Sequence, residues 1–376
     1  MRPSSGDYLT MLNVRFTTIF AMLISILLLV IAPIGAQEDD EELIGGVLNV
    51  YSARHYGQME TPFIEFEEAT GIEVRVSQGS PRDLLARLRA DIERGNRSVA
   101  DVYLAIDAGV LAIATEEGLL QPYTSDTLEA NIPETQRDPD GHWYGFSQRV
   151  RTVVYNPEGV TEEELENLNE YADLADPVWE GRLCMRPASH IYTVSWTSSL
   201  IHNLGEEEAA EVISGIAANV TRYINSDTSQ IRAVATGECD VAVVNHYYMG
   251  LLAAGNEDDQ DLFESVQLKW MNQGEDGTGT FYNINGAGIV TNAANLEQAQ
   301  AFLEYFSTVE GQAPDETGIP GVNYEFPTNP EAEVNEVIAG FGEVMLDTGY
   351  PLWEYGALQA EAVTLLEENG FGFSEN

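Results

Sequence analysis

Residues 143–156 read WYGFSQRVRTVVYN. The run is rich in aromatic and β-branched residues, and it is far longer than the usual strand of about 5–6 residues. It breaks a regular alternation of short strands and helices, and it reads as a crossover strand leaving one α/β lobe for another. On its N-terminal side, Val47–Tyr51 (VLNVY) is a buried-type strand followed by the polar segment SARHYGQ. A helix through Phe63, Phe66 and Ala69 comes next, stopped by Gly71, and Ile72–Val76 alternates as a strand. Pro81 opens a helix with Leu84, Leu85 and Leu88 on one face. Val99–Leu104 is a third strand and Ala108–Thr115 a third helix. This alternation predicts a parallel sheet with helices on both faces.

A second series follows the crossover. Its strands are RLCMR (182–186), Val220–Ile224 and CDVAVV (239–244). Helices are expected over 191–202, 206–217 and around 231–235. Residues 255–280, rich in Asp and Gly, read as a loop. Phe281–Val290 is a β segment, and helices are expected at about 295–307 and 355–368. Two α/β series joined by long β crossovers describe a two-lobed binding protein. Lobe 1 is placed at 47–150 with a return segment at about 278–330. Lobe 2 is placed at 151–277 with the C-terminal helices at about 331–376. Ligands of open α/β sheets sit beyond the carboxyl ends of the strands, and two lobes close on them by a hinge.

The bulk numbers agree with a globular chain of about two domains: 376 residues, 44% hydrophobic and 9% aromatic. Lys and Arg total 17 against 62 Asp and Glu, a formal charge of −45. Nucleic acid and anionic membrane surfaces are excluded as partners, since both need a basic face. The N-terminus has Arg2 and Arg15, the apolar run Phe16–Ile31, Pro33, and small residues at Gly35 and Ala36. That is the order of a secretory signal, expected over 1–36 and cleaved after Ala36. The run of about 16 residues is short for the ~20 of a spanning helix. An acidic linker, containing EDDEE, is expected over 37–46.

The residues after the strands carry the functional reading. VLNVY is followed by Arg54, His55 and Tyr56; RLCMR by Ser189, His190 and Tyr192; CDVAVV by His246, Tyr247 and Tyr248. Three strand-to-helix turns thus each bring a tyrosine toward the expected cleft. None carries a glycine-rich phosphate cradle or a Gly-x-Ser-x-Gly turn. No nucleophile–base pair stands out, so an enzyme is not expected. Phenolate is a hard anionic donor, and a highly charged metal lowers the phenol pKa from near 10. Several phenolates suit Fe³⁺, whereas softer or divalent metals favour Cys/His sets and Ca²⁺ favours carboxylate cages. Four phenolates would leave a net negative site, which Arg54, Arg149 or Arg151 could offset. Any one tyrosine taken alone is as readily a packing residue. Composition and spacing stop at a two-lobed binder of a small polar ligand, with a polyamine or an oxyanion such as sulfate still open.

At these residues the chain resembles the periplasmic iron-binding proteins of ABC transporters, the ferric-binding and cyanobacterial-type iron-uptake family. The matching segments are NVYSARHYGQ, SVADVYLAIDAG, RVRTVVYNP, WEGRLCMRPASHIYTVSW, TGECDVAVVNHYYMG and NINGAGIV. The resemblance implies a type II periplasmic binding protein fold and ferric iron carried to an inner-membrane permease. It also implies a periplasmic location and a monomer. Tyr56, Tyr192, Tyr247 and Tyr248 match the tyrosine ligands. His55 matches a histidine that coordinates in some members only. Ile106, followed by Asp107, stands where one branch carries a glutamate ligand, so the tyrosine-rich arrangement is favoured. Carbonate or water is left to complete the shell, with Arg54, Arg149 or Arg151 to hold an anion. Cys184 and Cys239 fall on strands this fold sets side by side, either as a bridge or as two buried thiols. His142, His190, His202 and His246 are read as polar or structural residues.

A surface this acidic repels itself in dilute buffer, and salt screens that repulsion over roughly 8–10 Å near 0.1–0.15 M. A marine or hypersaline setting is therefore expected. Stability in denaturant melts should rise from dilute buffer to ~1 M salt; a flat response would refute this reading of the charge.

Overall fold

The computed structural model describes residues 43–54, 60–94, 99–313 and 323–375. The expected signal segment, most of the expected linker, and both His55 and Tyr56 lie outside the described residues. No described helix is long and apolar enough to cross a membrane.

The chain runs β1 (Val47–Ser52), α1 (Glu60–Thr70), β2 (Glu73–Gln78), α2 (Pro81–Glu93), β3 (Val102–Ala105), α3 (Ala108–Glu116), β4 (Leu120–Gln121), α4 (Asp126–Asn131) and β5 (Tyr144–Tyr155). It continues through α5 (Glu162–Asn167), β6 (Leu183–Met185), α6 (Ile191–Leu204), α7 (Glu206–Asn219), β7 (Val220–Tyr223), α8 (Asp227–Ala235), β8 (Val241–Asn245) and α9 (Tyr247–Ala253). Then come α10 (Glu257–Ser265), β9 (Gln267–Lys269), β10 (Tyr282–Val290), α11 (Leu296–Ser307), β11 (Phe326–Pro327), α12 (Glu336–Ala339) and α13 (Gln359–Glu368).

The strands lie in the order β2-β1-β3-β10-β5-β8-β6-β7. β1 pairs in parallel with β2 and β3, as the N-terminal alternation requires. β6 likewise pairs in parallel with β7 and β8. The two parallel sets are joined through β10 and β5, both antiparallel to their neighbours. β5 changes partner midway. Residues 144–150 pair with β10 and residues 151–155 with β8, so Val150 faces Tyr282 while Arg151 faces Asn245. Twelve residues at ~3.3 Å each give about 40 Å of strand, enough to serve both sheets. β11 and β9 add to the other edge of β5, one beside each half.

Local chemistry sets the helix starts. Ser80 caps α2 with Pro81 in its first turn, Ser226 caps α8, and Asp107 caps α3. Gly205, at φ +82°, lets α6 end and α7 begin without a loop. An aromatic cluster of Phe63, Phe66, Phe146, Phe302 and Phe306 fills one face of the first sheet. One expectation fails here. Part of the segment read as loop over 255–280 is helical: Asn256 caps α10, and three acids occupy its first turn. Leu262 and Phe263 pack against the second-lobe core, with Phe263 6.2 Å from Phe341. Tertiary packing of those two side chains overrides a composition that reads as loop.

Cys184 and Cys239 form a disulfide, with Cα atoms 5.8 Å apart across 55 residues. It joins β6 to the residues leading into β8. Thiol counting under denaturing, non-reducing conditions should find no free thiol. The Cys184→Ser/Cys239→Ser pair should lose roughly 2–5 kcal/mol of unfolding free energy.

Candidate metal centre

Two turns of the second lobe converge with the middle of β5. After β6 the chain reaches His190, which caps α6: its Nδ1 accepts the Tyr192 backbone N–H at 3.2 Å. That fixes Tyr192 in the first turn of the helix, its ring 4.4 Å from the imidazole. Burial, reinforced by Arg186, lowers the His190 pKa to about 2, so it stays a neutral acceptor. β8 ends at Asn245, and His246 leads straight into α9, whose first turn carries Tyr247 and Tyr248. A strand would send two adjacent side chains to opposite faces. The helix instead lets their rings stack, 4.3 Å apart at 30°. The Tyr192 and Tyr247 hydroxyl oxygens are 3.3 Å apart.

The positive charges lie against these rings. The Arg149 guanidinium is 4.8 Å from the Tyr247 ring and 5.0 Å from that of Tyr192. Its Nη2 donates to the Tyr247 oxygen, and its Nη1 donates to the Ile106 carbonyl at 3.1 Å. Arg186 and Arg151 lie 5.1 and 5.7 Å from the Tyr192 ring. These three arginines and Arg54 are all buried.

Two buried carboxylates pair with them. Asp227 accepts from Arg186 at 2.5 Å, Arg151 at 3.1 Å and the Asn245 N–H at 2.9 Å. Burial raises its pKa, but the two arginines outweigh that and hold it at about 2. Glu325 accepts from Arg149 at 3.1 Å and lies 3.7 Å from Arg54. Among the described residues, four guanidiniums face two carboxylates in these ion pairs, and positive charge of this kind stabilises phenolate or a bound anion. Burial, and then the neighbouring Tyr192 and Asp227, push Tyr248 up to about 12 in the absence of a metal.

Of the candidate residues, the structure brings together Tyr192, Tyr247, Tyr248, Arg149 and Arg151, with Arg54 joined through Glu325. His246 turns away: its ring stacks on Phe326 at 4.7 Å, and Nδ1 accepts the Val150 N–H at 3.1 Å. Asp107 is fully buried and engaged with Val110 N–H, Ser195, Asn283 and Gln359. Arg186, Asp227 and Glu325 were not anticipated. The RLCMR strand end was the one available sign of Arg186, and its form matches the other arginine-bearing turns. A cavity of about 540 Å³ adjoins the site, lined by Ala53, Ser80, Arg82, Ile106, Ser189 and His190 among others. Among the described residues, no group of three or more His, Cys, Asp or Glu side chains could hold a metal. Among the described residues, the side chains that converge here on Arg149 are the phenols of Tyr192 and Tyr247, with Tyr248 stacked beside them.

The family model for bacterial extracellular solute-binding proteins matches residues 52–313, and the chain belongs to that family. Iron uptake protein A1 of Synechocystis is 37% identical over 326 residues, 86% of this chain and 87% of its own length. The structure of Trichodesmium FutA (IdiA) in complex with iron and citrate ligands superposes with a TM-score of 0.78 at 36% identity, covering 87% of this chain and all of that one. The ferric binding protein from Campylobacter jejuni gives 0.79 at 32% identity, over 86% and 99% of the two chains. The fold is the two-lobed α/β type II periplasmic binding fold.

Asp227→Ala would leave Arg151 and Arg186 buried without their counter-charge, and should cost roughly 3–5 kcal/mol in denaturant melts. The folded-state pKa of about 2 lies below the ~3.9 of an unfolded aspartate. The difference between wild type and variant should therefore be full above pH ~4 and shrink as the pH falls toward 2.

Proposed function

We propose that this chain captures ferric iron outside the cytoplasm, in the cleft between its lobes, and delivers it to the permease of an ABC transporter. The observation that carries the reading is the phenol cluster: Tyr192 and Tyr247 oxygens 3.3 Å apart, with Tyr248 stacked beside them under buried guanidiniums. On the sequence alone, the fourth phenolate is assigned to Tyr56, with His55 as a further donor. The names of the similar proteins, iron uptake protein and ferric binding protein, support the same cargo.

Iron binding displaces the phenol protons, so affinity falls as pH falls. The cost of ionising Tyr248, with its pKa near 12, is met by the trivalent charge. Reprotonation of a phenolate releases the cargo. The guanidinium charge supports carbonate, another carboxylate or water in the remaining coordination position, held by Arg54, Arg149 or Arg151. The Trichodesmium protein is in complex with both iron and citrate ligands, and the adjoining cavity here, about 540 Å³, has room for such an anion. The same arginines argue against a polyamine. The change of partner along β5 at Val150 and Arg151 supports lobe limits near 150, with 278–330 returning to lobe 1 and the C-terminal helices to lobe 2. Residues 1–36 act as the export signal, and the mature protein works as a monomer.

Titration with Fe³⁺, supplied as its nitrilotriacetate complex, should produce a visible phenolate-to-iron absorption band. Tyr247→Phe should weaken iron binding by at least about tenfold, or 1.4 kcal/mol. No band, together with unchanged affinity in the variant, would remove the proposal.

A further inference from the structure

Glu325 lies far from the tyrosines in sequence and touches none of their oxygens in the hydrogen bonds described above, yet its contacts run directly to one of them. It is 1% exposed. Oε1 accepts from Arg149 Nε at 3.1 Å and Asn323 Nδ2 at 3.0 Å. Oε2 accepts from Ser147 and Asn285, and lies 3.7 Å from Arg54 Nη1. Ser147 and Arg149 belong to β5 and Asn285 to β10, while Arg54 follows the end of β1. Immediately after Glu325, Phe326 pairs with Gln148 of β5, which fixes the backbone on which the carboxylate stands. A carboxylate with four donors from three segments, and a guanidinium of a fourth 3.7 Å away, is held in one place.

Arg149 passes that order on. A planar guanidinium gripped at Nε by Glu325 and at Nη1 by the Ile106 carbonyl has its Nη2 direction decided, and Nη2 donates to the Tyr247 oxygen. We infer that Glu325 is a positioning residue for iron binding, acting on the Tyr247 phenolate through Arg149. It does so in two ways. It aims the guanidinium, and its negative charge offsets the pull of Arg149 and Arg54 on phenolate electron density, leaving that density for the metal. The inference rests on the reading of Tyr247 as a ligand, and its test separates the two.

The experiment compares full-length mature wild type with Glu325→Gln, Glu325→Asp, Arg149→Gln, Tyr247→Phe and the Glu325→Gln/Tyr247→Phe pair. Each is loaded with ferric nitrilotriacetate and then challenged with excess citrate. Glu325→Gln leaves Arg149 unopposed, so the iron band should move to shorter wavelength and release to citrate should quicken, roughly 10- to 100-fold. Glu325→Asp keeps the charge and should recover most of both properties. Arg149→Gln removes the positive charge from Tyr247 and should move the band the other way. In the Tyr247→Phe background, Glu325→Gln should change release less than about twofold. Wild-type band and release in a folded Glu325→Gln protein would overturn the inference while leaving the tyrosine site intact. An unchanged band in Tyr247→Phe would overturn both. If Glu325→Gln does not fold, Arg149→Gln decides: a band at the wild-type position overturns the relay.

Discussion

The cleft is organised around positive charge taken out of water. Four arginines meet there, each buried, and an isolated buried ion costs several kcal/mol even after the protein relaxes around it. The surroundings follow from that constraint. Asp227 and Glu325 are buried because they face guanidiniums, and rings of Tyr192 and Tyr247 lie against guanidinium faces. The same guanidiniums give the site its capacity to accept phenolates and an accompanying anion. β5 supplies two of the four charges from Arg149 and Arg151. Being two residues apart, they share a face of the strand while belonging to its two different halves.

Much of this was legible in the sequence, and the reason is topological. Ligand-facing residues in an α/β sheet follow the carboxyl ends of its strands, so Tyr192, Tyr247 and Tyr248 could be found by reading what comes after RLCMR and CDVAVV. The length of the 143–156 run announced the crossover. The partners of the arginines were hidden for the opposite reason. Glu325 sits in a return segment some distance along the chain from Arg149, and Asp227 opens a helix whose first residues read only as a cap. No periodicity links a buried acid to a base on another element. The arrangement of the tyrosine pair was also out of reach, since it depends on α9 beginning at Tyr247 itself rather than one residue later. The α10 helix was concealed by its own acidic composition.

The inside and the outside of this protein use charge in contrary ways. Lys269 is the only lysine of the chain, and its ammonium is bonded to the Leu165 carbonyl. With four arginines withdrawn into the cleft, the exposed surface holds few cations against many acids. Its field favours the approach of a cationic solute at long range, an effect that salt shortens. Around Tyr192 and Tyr247, by contrast, buried guanidiniums are the nearest charges.

The partner exchange along β5 has a mechanical meaning. If the lobes turn about the point where the strand passes from β10 to β8, displacement grows with distance from that axis. The Arg149 contact to Tyr247 lies close to it, whereas the lips of the adjoining cavity, at Ser80 and Arg82 on one side and Ser189 on the other, lie off it. A rotation there would part those lips, while Tyr192, Tyr247 and Tyr248, all carried by α6 and α9 on the same side of the strand exchange, would keep their mutual geometry.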